Sequence, residues 1–230
     1  MWAIARIRRF LTIAFLALLF ATPVYAAPSL PKVLIIGDSI SQGYTPHVTT
    51  LLGGEAEVIR NPENGQTSAY GLERMDEWLG STKWDVISFN FGQWDFCYHN
   101  PSLPDGNDRD KIHGAIAISL DQYKRNLEAI VERLQRTKAH LIWENSTFVP
   151  EGESGRYPED AIKYNQAAKE IMDEHSIPVV DLYNLTKGFE PKLFKRPQNV
   201  HYSDEGYREI ATTVARAIQD ALRGPSHRSP

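Results

Sequence analysis

Short β-branched apolar runs alternate with amphipathic segments along most of this chain, and no other sequence feature narrows its folding as much. Val33 to Ile36, Glu57 to Arg60, Asp85 to Phe91, His140 to Trp143 and Ile177 to Leu182 read as strands. Ser41 to Leu52, Thr67 to Leu79, Asp121 to Thr137, Pro158 to His175 and Ser203 to Leu222 read as helices, the third with Tyr123, Leu127, Ile130, Val131 and Leu134 on one face. Glycines close the first two helices, and Ser203 with Asp204 and Glu205 has the chemistry of a helix start. Single helices crossing between strands leave few topologies besides a parallel sheet, so the expected fold is α/β: a three-layer α/β/α sandwich on five parallel strands.

The chain has 230 residues, 42% of them apolar, which suits one domain with a proper core. Arg6, Arg8 and Arg9, an apolar run from Phe10 to Phe20, and small residues Val24 and Ala26 form the pattern of a secretory signal peptide. The run is short of the roughly 20 residues that span a bilayer, so cleavage after Ala26 is expected rather than anchoring. The expectation is a signal peptide at 1–26, a single domain at 27–230, and a secreted or periplasmic protein. Losing those three arginines takes the net charge from −4 to −7, and the remaining basic residues lie scattered among acids, which argues against a nucleic-acid partner. Cys97 is the only cysteine, so stability must come from the core rather than from a disulfide.

Lys32 to Tyr44 reads as a strand that delivers a serine. Gly37 permits a sharp turn after the apolar run, which sets Ser39 at the carboxyl end of the first strand, where open parallel sheets hold their ligands. A serine hydroxyl needs a base and donors for the oxyanion before it can act as a nucleophile. Of the seven histidines, His140 and His175 fall at the amino edge of the sheet, His47 in the first helix and His227 in the tail. His99 and His113 lie in the long stretch after the third strand, and His201 comes between the fifth strand and the last helix, where it is the favoured base.

Four segments then resemble a known family. Gly37-Asp38-Ser39-Ile40-Ser41-Gln42-Gly43 resembles the first block of the SGNH, or GDSL-type, hydrolases, and Asn64-Gly65-Gln66-Thr67-Ser68 their second. Phe89 to Asp95 resembles the third block, in a subgroup form Phe-Asn-x-Gly-x-x-Asp, and Val200 to Tyr207 the fifth. The resemblance implies a flavodoxin-like three-layer fold and a serine ester hydrolase without metal or organic cofactor. It implies Ser39 as nucleophile, His201 as general acid/base, and an oxyanion hole from the backbone of Ser39 and Gly65 with Asn90 as a third donor. Asp38 is expected to stabilise the turn only.

Two positions depart from the family pattern. Trp94 stands where the family carries its oxyanion asparagine, which is why Asn90 is the substitute, with a plain strand hydrogen bond as its other reading. Gln198 stands three residues before His201, where the family has an aspartate, so the ring is held by Gln198, by a backbone carbonyl, or by Asp95 or another loop carboxylate. The acidic run from Asp105 to Asp110 fails a calcium register because Arg109 falls where an oxygen ligand is needed. Trp94, Phe96 and Tyr98 either line an acyl or sugar site or pack the loop. The expected substrate is a small-molecule or saccharide ester, with no stable membrane anchoring once the signal is cleaved. An acyltransferase or deacetylase acting on a saccharide, and a silent binding protein of the same fold, are the alternatives.

Overall fold

A computed structural model describes residues 29–104 and 106–224. The expected signal peptide, Asp105 and the tail with His227 lie outside the described residues. Five strands, β1 (Lys32–Ile36), β2 (Glu57–Arg60), β3 (Val86–Phe89), β6 (His140–Glu144) and β7 (Val179–Val180), form one parallel sheet in the order β2-β1-β3-β6-β7. The order reverses at β1, so the crevice beside its carboxyl end is the switch point of the sheet.

Side chains of a strand alternate between faces, and the unbroken apolar run of β1 serves both. Leu34 and Ile36 pack with Phe89, Met75, Leu127 and Ile130 under α2 (Ser68–Leu79), α3 (Leu120–Gln135) and α4 (Pro158–Glu174). Val33 and Ile35 pack with Val48, Ile210, Val214 and Ile218 under α1 (Ser39–Leu51) and α6 (Asp204–Arg223). Each fully buried side chain of this kind contributes roughly 1.5–3 kcal/mol. Gly43 lets α1 and α6 approach, since a Cβ there would lie 2.2 Å from the Tyr207 ring.

The expected helices are present, but the fifth strand is shorter than the apolar run that suggested it. Asp181 accepts a hydrogen bond from the Asn184 N–H and so starts α5 (Leu182–Lys187), which ends β7 at Val180. The long stretch after β3 carries a small hairpin, β4 (Tyr98–His99) against β5 (Ala115–Ile116). Beyond α5, a 3-10 turn at Pro191–Leu193 leads into a loop in which Phe194 bridges Tyr202. Among the described residues no helix is long and apolar enough to cross a membrane.

Candidate active site

The turn after β1 is built by hydrogen bonds to its own neighbours. Asp38 caps α1 by accepting from the Ile40 N–H at 2.8 Å, the Ser41 hydroxyl donates to the Asp38 carbonyl, and Asn61 of the β2 loop accepts from the Gly37 N–H at 3.0 Å. Burial pushes the Asp38 carboxyl up, opposed first by the Ile40 N–H and then by Arg156 and Arg60. Ser39 is thereby the first residue of α1, half-buried, and its N–H has no protein acceptor among the described residues. The positive end of the helix dipole lies at that point, which favours negative charge beside the serine. Behind it, the buried Glu144 at the end of β6 accepts from the hydroxyls of Tyr44 and Ser88 and ties α1 to the sheet.

His201 arrives on the loop that precedes α6, anchored where its carbonyl accepts from the Lys195 N–H at 2.9 Å. Its Nε2 lies 2.9 Å from the Ser39 Oγ. Its Nδ1 lies 2.9 Å from Oδ1 of Asn199, an atom that also accepts from the His201 backbone N–H at 2.9 Å. That second bond decides the chemistry. A backbone N–H can only donate, so the asparagine atom is the oxygen. An oxygen facing Nδ1 in turn requires that Nδ1 carry the proton. Nε2 is then bare and accepts from the serine hydroxyl, the arrangement a general base needs. Burial pulls the His201 pKa down to about 4, helped by the cations of Arg109, Arg156, Lys195 and Arg196.

Gln198, expected on the ring, is not there. Its backbone is left-handed at φ 57°, and its exposed side chain leans on the turn at Gly152, where an added Cβ would meet its Nε2 at 2.6 Å. Asn199 takes that place through a two-residue Asx turn, which the Asn-x-His spacing could have signalled. Asp95 is also elsewhere: buried, it accepts from the backbone and hydroxyl of Ser68, and burial raises its carboxyl to about 7 against those bonds.

The two other oxyanion candidates lie against the serine turn but are already bonded. The Gly65 N–H donates to the Gly37 carbonyl at 3.0 Å, so it is no vacant donor. Only a glycine fits there, because a Cβ would lie 2.7 Å from the Gly37 oxygen. One N–H of the Asn90 amide donates to the Glu144 carbonyl at 2.6 Å, the strand-type bond that was its other reading, which leaves its second N–H. Of the three aromatics, Phe96 is core and Tyr98 packs on Tyr157 with its hydroxyl on Asp160. Trp94, half-buried like Tyr98, is stacked on His99. Among the other described histidines, His47 pairs with Asp204, His99 with Asp108, His113 with Asp110 and His175 with Glu128, and His140 opens β6. Among the described residues no cluster of His, Cys, Asp and Glu could hold a metal ion.

Residues 35–209 match the model of the GDSL-like lipase/acylhydrolase family. The chain belongs to that family. Solved structures agree on the fold of this GDSL-like chain. A lipase/acylhydrolase from Enterococcus faecalis superposes with a TM-score of 0.67 at 22% identity, covering 83% of this chain and 96% of its own. A GDSL-like lipase from Bacteroides thetaiotaomicron gives 0.64 at 21%, covering 83% and 89%. An acetylxylan esterase from Geobacillus stearothermophilus gives 0.64 at 20%, covering 84% and 97%. No curated protein matches the sequence. Membership makes the chain an ester-hydrolysing serine hydrolase by family, and the matched span includes Ser39, Gly65, Asn90, Asn199 and His201.

Proposed function

We propose that this chain hydrolyses esters through an acyl-enzyme on Ser39, with His201 as general acid/base and Asn199 as the residue that orients its ring. The observation that carries this is the Ser39 Oγ to His201 Nε2 distance of 2.9 Å, with Nδ1–H held by Asn199. The Ser39 oxygen attacks the acyl carbon while Nε2 takes its proton. The oxyanion is stabilised by the Ser39 N–H and the remaining Asn90 N–H, with the Gly65 N–H joining only if it leaves the Gly37 carbonyl. The imidazolium returns its proton to the leaving alcohol oxygen as that bond breaks. Water then attacks the acyl-serine, giving its proton to Nε2, and the acid leaves as Ser39 regains a proton.

The subgroup form of the third block, Phe89 to Asp95, fits this reading, since Asn90 there stands in for the missing family asparagine. Among the acyl groups open to it, acetyl on a saccharide is the favoured choice, supported by acetylxylan esterases among the structures of the same fold. Export through the 1–26 segment belongs to the same proposal, tested by whether the protein recovered outside the cytoplasm begins after Ala26. The central test is a fluorophosphonate probe with p-nitrophenyl acetate as substrate. Labelling and turnover are expected in the wild type, no labelling in Ser39→Ala, and a loss of about 10²–10⁴-fold in His201→Ala. An unlabelled wild type would instead favour a binding protein.

A further inference from the structure

We propose that a water molecule is built into the wall beneath the serine turn, held by Gln93, and that through it Gln93 positions the Asn90 amide. The water site stands on its own observations, whereas the positioning role rests on the hydrolase reading above.

A cavity of about 10 Å³ lies where Ile40 and Ser41, which follow the nucleophile in α1, meet Asn90 and Gln93 of the third block, with Thr147 and Leu182 also in its wall. That space takes the centre of one water and no acyl chain. Gln93 is 2% exposed and clamped at both ends. Its backbone carbonyl accepts from Nε of the buried Arg156 at 2.6 Å, and Arg156 is itself paired with Glu153 at 3.0 Å. Its Nε2 donates to the Thr147 carbonyl at 3.0 Å and to the Thr147 Oγ1 at 3.1 Å. A carbonyl can only accept, so the amide atom facing Thr147 is the nitrogen and the other end is the oxygen. That Oε1 is buried and has no protein partner among the described residues. An amide oxygen left bare in the interior is costly, and a water that donates to it removes the cost.

The same wall carries a second acceptor. Asn90 spends one N–H on the Glu144 carbonyl at 2.6 Å, which by the same rule identifies its nitrogen, and its Oδ1 accepts from no protein donor among the described residues. One water has two protons to give. Donated to Gln93 Oε1 and Asn90 Oδ1, they tie the oxygen end of the Asn90 amide while the Glu144 carbonyl ties the nitrogen end. The second N–H of Asn90 then keeps one direction, as an oxyanion donor must if it is to cost no reorganisation during the reaction. Gln93 acts through the water and touches no reacting atom.

The test sets a crystal structure of the wild type, at a resolution that shows ordered water, beside one of Gln93→Met, whose side chain has a similar volume and no amide oxygen. Expected are one water within hydrogen-bond distance of Gln93 Oε1 and Asn90 Oδ1 in the wild type and none in Gln93→Met. With p-nitrophenyl acetate, kcat is expected to fall about tenfold in Gln93→Met while KM stays within about twofold. Leu182→Val, which loosens the same cavity without removing a polar atom, is expected to keep kcat within about twofold. An empty cavity in the wild type, or a water that does not reach Asn90, overturns the inference, and the wild-type structure decides this even where Gln93→Met does not fold. So does a wild-type kcat in Gln93→Met, or an equal fall in Leu182→Val, which would mark the cavity wall as packing. A fluorophosphonate that leaves Ser39 unlabelled, with the water in place, would strike the hydrolase reading and leave the water site standing.

Discussion

Replacing Asn199 with aspartate changes one atom of the side chain and leaves the geometry of the ring contact available. The Oδ1 that lies 2.9 Å from the His201 Nδ1 becomes part of a carboxylate, an opposite charge at the distance where such charges typically move a pKa by about 1–3 units. The wild-type ring is held near 4 by burial and four cations, so Asn199→Asp is expected to titrate between about 5 and 7. Each unit is about 1.4 kcal/mol of preference for the imidazolium, the species formed in the transition state. If about half of that preference is expressed there, kcat rises by roughly 3- to 30-fold. The assay is the pH profile of kcat/KM for p-nitrophenyl acetate from pH 4 to 9. The wild type should stay flat down to about pH 5, whereas the acid limb of Asn199→Asp should move up by at least one unit. Gln198→Asp is the control: its side chain leans on Gly152 in solvent, so its charge is screened and the limb should barely move. A limb that moves with Gln198→Asp and stays with Asn199→Asp would refute the assignment of the ring partner.

Further outcomes follow from packing and burial. Gly65→Ala puts a Cβ against the Gly37 backbone, which cannot swing aside, so activity should fall more than about tenfold with little change in circular dichroism. Gly43→Ala drives a methyl into the Tyr207 ring between α1 and α6 and should destabilise the protein by about 1–3 kcal/mol in urea unfolding. Asp95 is pushed from its ordinary 3.8 to about 7, so its contribution to stability is full below pH 4 and is lost as the pH rises through 7. The urea midpoint of wild type should therefore decline relative to Asp95→Asn between pH 4 and 8, by no more than about 4 kcal/mol in stability.

The fold was legible wherever a segment was long enough to show a period. The parallel sheet followed from the alternation, and Ser203, read as a helix start, caps α6 in the structure. β4 and β5 have two residues each, too few for any period to register, and α5 hangs on the single capping carboxylate of Asp181. In the site, Ser39 and His201 could be paired because both follow from which end of the sheet they occupy. The ring partner could not, because it depends on local dihedrals: a left-handed Gln198 turns away and a two-residue turn brings Asn199 in its place. The bond from the Gly65 N–H to the Gly37 carbonyl is likewise set by the local path of two loops, which no spacing encodes.

The uncharged partner and the cations that act on the ring bear on one another. A histidine held by an asparagine and surrounded by arginines and lysines remains a free base down to about pH 4, but its imidazolium form is disfavoured just where catalysis needs it. Most hydrolases of this chemistry offset that with a carboxylate on Nδ1, which this chain lacks. Sodium chloride screens exposed cations such as Lys195 and Arg196 and so eases imidazolium formation. The consequence is a pH profile that depends on salt. With p-nitrophenyl acetate, which carries no charge, the acid limb of kcat/KM should move up as sodium chloride is added, and kcat should rise with it. A limb that stays put as salt is added would mean that burial alone holds the histidine down and that the cations do not reach it.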